Sequence, residues 1–290
     1  MSVTNQIAAG FEPEWIDVVT STFMRNAFLG GTVVALASGL IGYFVIIRSS
    51  AFAAHALAHI GFPGATGALL VGAPISLGLL VFCAVGGLVI GVLGDRASQR
   101  EVATGTVLAF ASGLGILFAS LATQGAATVT SVLFGNLLAI KTSELVLFAG
   151  LMFALVAAIA VVFRPLRFAS LDPLVAEAKG LPVRTLSIVF MLLLALVITM
   201  AVQVVGTLLL FGLVVTPAAT AFMVTARPAA VIAIGSLISI ASVWFGLTLS
   251  AMFNLPPSFF VIAVATLAWL AGWLITRRSR TVAPAVPAHS

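Results

Sequence analysis

Residues 185–215 read TLSIVFMLLLALVITMAVQVVGTLLLFGLVV, without a single charged side chain. A bilayer core is crossed by about 20 helical residues, so the part before Gly206 is long enough to span. The ten residues from Gly206 to Val215 are not, and they read as a half-length helix after a glycine break. Polar backbone inside hydrocarbon must be hydrogen-bonded within the protein. The stretch therefore reads as a buried helix, an interruption, and a second helix held in the same bundle.

Outward from this stretch the same signal recurs. Apolar runs lie at 26–47, 51–71, 75–94, 102–122, 144–163, 185–204, 229–250 and 257–276, their one charged residue being Glu144 at the start of the fifth. The whole chain of 290 residues is 62% hydrophobic and 7% charged, against roughly 25% charged in soluble domains. The reading is an all-α integral membrane protein: a bundle of about eight full transmembrane helices plus the half-length helix. It forms one transmembrane unit over 1–280, followed by a Pro/Ala-rich tail at 281–290 that is expected to be disordered. Residues 129–140 are too short to cross and read as an interfacial or re-entrant helix. Residues 11–23, FEPEWIDVVTSTF, read as an amphipathic helix in the membrane interface, with Trp15, Val19 and Phe23 one turn apart. No basic leader followed by an apolar run precedes it.

Charge sets the expected orientation. With the amino terminus outside, eleven basic residues fall on the inner side: Arg48, Arg96, Arg100, Arg164, Arg167, Lys179, Arg184, Arg227, Arg277, Arg278 and Arg280. Only Arg25 and Lys141 fall outside, which is the positive-inside distribution. The carboxyl terminus is then inside. The net charge of +5 is spread between spans and not gathered with aromatics on one face, which argues against nucleic-acid binding. Cys83 is the only cysteine and reads as a small buried apolar side chain. Gly87-x-x-x-Gly91 marks a close helix contact.

Two ionisable residues lie deep, His55 and His59 in SSAFAAHALAHIGFPG. Spacing of four puts them on one helical face, about 6 Å apart along the axis. Counted from Arg48, they stand roughly 10 and 16 Å into a core of about 30 Å. Neutral imidazole is a ligand for zinc and other first-row divalent ions, and intramembrane ionisable groups mark ion paths. The plainer alternative is a pair of neutral histidines hydrogen-bonded across the bundle. The chain has no G-x-x-x-x-G-K-[ST] loop, H-E-x-x-H motif, nucleophile–base set or Cys-x-x-Cys. It is not an enzyme on this reading and has no nucleotide site of its own.

Four pieces in order carry a resemblance to a known family: AFLGGTVVALASGLIGYFVIIRSSAFAAHALAHIGFPG, VLFGNLLAI, LDPLVAEAKGLPVR and VVGTLLLFGLVVTPAATA. Together they resemble the permease subunits of the zinc/manganese/iron ABC importers over roughly Phe28 to Arg278. The resemblance implies a permease pair in the cytoplasmic membrane of a prokaryote. Its partners would be an ATP-binding-cassette ATPase dimer, an external metal-binding protein and membrane lipid. No cofactor would be permanently bound; Zn2+, or Mn2+ or Fe2+, would be the transported substrate. It further implies that 216–228 is a cytoplasmic coupling segment contacting the ATPase through Thr216, Pro217, Ala218, Ala219, Thr220 and Ala221. The family motif on the second helix usually reads Gly-Asp-Ala-x-x-His, and here Ala54-His55-Ala56-Leu57-Ala58-His59 stands in its place. His59 matches the histidine and His55 replaces the aspartate, a pattern similar to Azt-type zinc permeases. Manganese favours carboxylate oxygen whereas two nitrogens suit zinc. The competing expectations are an ATP-independent divalent-metal carrier or channel, and a siderophore- or cobalamin-type permease.

Overall fold

The computed structural model describes residues 15–93, 97–122 and 125–281. Of the tail expected at 281–290, Thr281 ends the last helix and residues 282–290 lie outside these, as do residues 11–14 of the expected interfacial helix. Among the described residues every regular element is helical. In order they are α1 (Trp15–Thr20), α2 (Thr22–Ile47), α3 (Ala51–Leu70), α4 (Ile75–Leu93), α5 (Ala97–Leu121) and α6 (Gly125–Phe134). After a 3-10 turn (Leu137–Ala139) come α7 (Thr142–Leu171), α8 (Pro173–Ala178), α9 (Val183–Val205) and α10 (Leu210–Val214). The chain closes with α11 (Thr216–Val224), α12 (Pro228–Phe253) and α13 (Pro257–Thr281).

Among the described residues seven helices are long and apolar enough to cross a membrane: α2, α4, α5, α7, α9, α12 and α13. The eighth expected span forms α3, a 20-residue helix of sufficient length. It is not among the seven because His55, His59, Pro63 and its glycines dilute its apolar content. The expected interfacial helix is shorter, ending at Thr20. Ser21 there begins the next helix as its N-cap, accepting from the Met24 N–H at 3.4 Å. The helix expected to stop near 163 runs on to Leu171 through Pro165, carrying Arg164 and Arg167 out of the apolar zone.

Burial sorts centre from rim. The apolar windows of α9 and α2 are 72% and 67% buried, whereas those of α13 and α5 are 11% and 17%. α2 and α9 are thus the bundle's core, and α5 and α13 turn most of their surface to lipid. Outward residues such as Phe153, Val161 and Phe110 are apolar and largely exposed, the pattern for a surface solvated by hydrocarbon. Small residues set the closest crossings. A methyl group built on Gly64 of α3 would sit 2.2 Å from the Gly78 carbonyl oxygen of α4. One built on Gly87 would sit 2.9 Å from the Met191 carbonyl of α9. Packing and not hydrophobicity drives helix association in lipid, so such contacts carry the cohesion. Cys83 is fully buried, as expected, with its thiol 3.4 Å from the Leu57 carbonyl.

The break at Gly206 is repaired by a second break. α6 stops at Gly135 and abuts the end of α9. The Asn136 N–H donates to the Gln203 carbonyl at 3.1 Å, while the Thr207 and Leu208 N–H groups donate to the Val132 and Leu133 carbonyls at 2.9 and 3.2 Å. The C-terminal carbonyls that a helix leaves orphaned are so satisfied across the two elements. The short helix expected at 129–140 forms the end of α6 and the 3-10 turn, packed against the end of α9. Gly135 and Gly206 take φ of 74° and 81°, a region open to glycine. A side chain on either would lie within 2.6 Å of the other's backbone.

Gly206→Ala is expected to lose roughly 3 kcal/mol of stability through strain and overlap. Gly113→Ala, at an exposed helical site with open space around it, should be neutral or gain up to about 1 kcal/mol. Thermal unfolding in detergent, read by the monodisperse fraction, checks both. Equal midpoints for the two variants would contradict the paired-break account.

Candidate ion site

α3 begins after a tight turn, in which the Ser49 and Ser50 N–H groups donate to the Ile46 and Val45 carbonyls at 3.0 and 2.9 Å. Ser49 has φ of 50°, a left-handed conformation uncommon away from glycine. The Ala54 N–H then bonds the Ser50 carbonyl at 3.0 Å and the helix is under way. Its alanines and Leu57 pack inward: Ala54, Ala56, Leu57 and Ala58 are 0% exposed. His55 and His59 are only half-buried, and Phe52, one turn before His55, is exposed. One stripe of α3 therefore carries both imidazoles and is not covered by this chain.

The structure brings the two predicted ligands together. Their ring centroids lie 4.8 Å apart at an interplanar angle of 73°. The Nδ1 of His55 is buried without a hydrogen-bond partner, a costly condition for a polar atom in hydrocarbon. Four residues after His59 comes Pro63, inside α3. Proline has no N–H to give to the His59 carbonyl, so this turn of the helix lacks a backbone bond beside the pair. Thr66 braces the loosened turn, its hydroxyl lying 3.1 Å from the Phe62 carbonyl and 3.3 Å from the Gly115 carbonyl of α5. No cluster of three or more His, Cys, Asp or Glu side chains occurs among the described residues. The expected metal ligands His55 and His59 number two, half the ligand count of a tetrahedral zinc site.

The second predicted group, residues 216–221, heads α11. Pro217, Ala218, Thr220 and Ala221 are buried and Thr216 and Ala219 half-buried. Small size is the reason: Ala218 lies against Gly42 of α2 and Gly235 of α12, and Thr220 against Gly272 of α13. The surface of this segment is carried instead by Val224, Ala226 and Arg227, all exposed. Beside it a cavity of about 550 Å3 is lined by Phe163, Arg167, Pro228 and Ile232. A further polar group escapes sequence reasoning. Ser131, Asn136, Glu144 and Gln203 line a cavity of about 120 Å3 beside the paired break. Glu144 also accepts from the Lys141 N–H at 2.9 Å, capping the first turn of α7.

The chain from residue 20 to 276 matches the model of the family described as the ABC 3 transport family. The manganese transport system membrane protein MntC of Listeria innocua is 31% identical over 87% of this chain and 90% of its own length. The manganese import system permease protein ScaB of Streptococcus gordonii is 27% identical over 89% of this chain and 93% of its own. Among solved structures, PsaBC from Streptococcus pneumoniae in complex with Fab superimposes with a TM-score of 0.81 at 28% identity, covering 92% of this chain and 97% of that one.

A two-donor half-site makes a direct expectation. His55→Ala and His59→Ala should each lower the zinc affinity of the detergent-purified protein at least about tenfold. Metal-free melting should not move in either variant, because a half-buried imidazole contributes little packing. Competition with a fluorescent chelator reads the affinity; unchanged affinity in both variants would mark the pair as packing only.

Proposed function

This chain belongs to the ABC 3 transport family, and from that premise we propose that it imports a divalent transition-metal ion, zinc foremost, through a paired permease. At the coarser level the chain is a multi-pass permease subunit of a metal-importing ABC transporter, a fold shared with PsaBC. The observation that carries the proposal is the half-covered His55–His59 pair with its unpartnered Nδ1. Two copies related by a two-fold axis would present four imidazoles to one ion, since an isologous contact pairs the same stripe with itself. Two nitrogens per copy favour zinc over manganese. The second reading is manganese, supported by the names of the MntC and ScaB relatives. A chelate permease has less use for such a pair, because a siderophore brings its metal already ligated.

Energy comes from outside the chain in this reading. With no phosphate loop of its own, the subunit relies on an ATPase dimer, and an external binding protein delivers the ion. Thr216–Ala221 would couple the ATPase to the bundle: the buried face grips α2, α12 and α13, and Thr216, Ala219 and the exposed end at Val224 meet the partner. A compact helix held on three sides passes on a push as a rigid body. The amino terminus is outside and the carboxyl terminus inside, on the distribution of basic residues. An ATP-independent carrier would need no such segment.

Isotope uptake in cells expressing matched levels of each variant tests the cargo. His59→Ala should abolish uptake, and His55→Asp should move preference from zinc towards manganese by restoring a charged oxygen donor. Preferred manganese uptake in the unmodified protein would establish the second reading instead. Ala219→Glu should leave the permease inserted yet stop uptake, because a charge is forced into a packed contact; normal transport in that variant removes the coupling role. Orientation is read with single cysteines at Ser2 and Ser279 in a Cys83→Ala background, where an impermeant outside reagent should label only position 2.

A further inference from the structure

Arg48 caps the end of α2, its N–H donating to the Phe44 carbonyl at 3.0 Å. The sequence places it among the inner-side basic residues, a duty that any lysine could perform. The structure gives it a more specific one. Its guanidinium is forked: Nη1 donates to the Ser170 hydroxyl of α7 at 3.1 Å and Nη2 to the Ser187 hydroxyl of α9 at 2.6 Å. The Ser170 hydroxyl itself donates to the Leu166 carbonyl, so its oxygen is free to accept. The guanidinium also lies over the ring of Phe190 at 4.9 Å, and Phe190 and Ser187 are both buried. One side chain thus ties the end of α2 to α7 and α9, and it does so through a planar fork that lysine does not possess.

This tie sits at the root of the histidine helix. The Ser50 hydroxyl donates to the Arg48 carbonyl at 3.2 Å. The Ala54 N–H donates to the Ser50 carbonyl, and His55 is the next residue. From Arg48 to His55 the chain runs as one hydrogen-bonded unit through a strained left-handed Ser49. A helix turns 100° per residue, so a slip of one residue at this turn would swing both imidazoles off the uncovered stripe of α3. We propose that Arg48 is a positioning residue for the ion site: its fork between Ser170 and Ser187, stacked on Phe190, fixes the start of α3 and so aims His55 and His59. The proposal rests on the reading of that pair as the ion site.

The test uses the full-length permease, purified in detergent and also reconstituted with its ATPase, with zinc as the probe. Arg48→Lys keeps the charge and loses the fork; Ser170→Ala with Ser187→Ala keeps the arginine and removes what it grips. Both should bind zinc about tenfold more weakly, the scale expected of a small misplacement of ligands. In both the KM for uptake should rise more than Vmax falls, and metal-free melting should be nearly unchanged. In a background of His55→Ala with His59→Ala, either change should alter residual zinc binding by less than about twofold, since no aimed ligand remains. Zinc affinity and KM like the unmodified protein in the double serine variant would overturn the proposal, as would a full tenfold loss in the background lacking both histidines. If Arg48→Lys fails to fold, the serine variant alone decides. Unchanged zinc binding in His55→Ala and His59→Ala would instead remove the site itself, and a silent Arg48 beside a sensitive His55 removes only the positioning role.

Discussion

Within hydrocarbon no water stands ready to accept what the backbone leaves unpaired. Each place where a helix of this protein stops inside the bundle exposes polar groups that another part of the chain must satisfy. The end of α9 at Gly206 and the end of α6 at Gly135 satisfy each other, exchanging N–H and carbonyl groups across a pair of left-handed glycines. The turn at 48–50 is closed by its own backbone bonds and by the Ser50 hydroxyl. At Pro63 the bond from residue 63 to the His59 carbonyl cannot form, and the structure leaves that turn loosened. α7 keeps a similar interruption at Pro165, beyond its apolar stretch, whereas the one at Pro63 lies one turn from the imidazoles.

Much of this is legible in the sequence. Charge-free runs of sufficient length give the spans, and Gly206 announces its break because the apolar run beyond it is too short to cross. The histidine pair is read from spacing and depth alone. Less can be read where a partner lies far along the chain. The packing of 129–140 against the end of α9 depends on Gln203 and Thr207, some 70 residues away, and no local pattern encodes that contact. The end of α7 is hidden for another reason. Arg164 and Arg167 signal the edge of the apolar zone and not the end of a helix, which continues readily into water. The small residues of 216–221 suggest a surface for docking; in the fold their smallness admits them between α2, α12 and α13. Arg48 shows the same limit from another side. Its charge is visible as a topology signal, whereas its fork needs Ser170 and Ser187, which sequence does not place beside it.

Composition and function pull against each other in α3. A span gains its place in the membrane from apolar side chains, and this one gives up that gain at His55, His59 and Pro63. What holds it is contact: Gly64 against Gly78 of α4, Gly61 against Cys83 and Leu79, and Gly115 of α5 against Phe62. A helix held by close packing does not depend on its own hydropathy, so the polar residues are tolerated on the stripe that packing leaves open. Closed four-ligand zinc sites hold metal with about 10–16 kcal/mol, too tightly for a path that must release its cargo each cycle. The proposed reading, in which the ligands are divided between two copies of the chain, would escape this limit. Two copies together would present four imidazoles, and with the stripes drawn apart each copy would retain two. Affinity would then be set by the separation of two rigid helices, a quantity that closure of an ATPase partner could change.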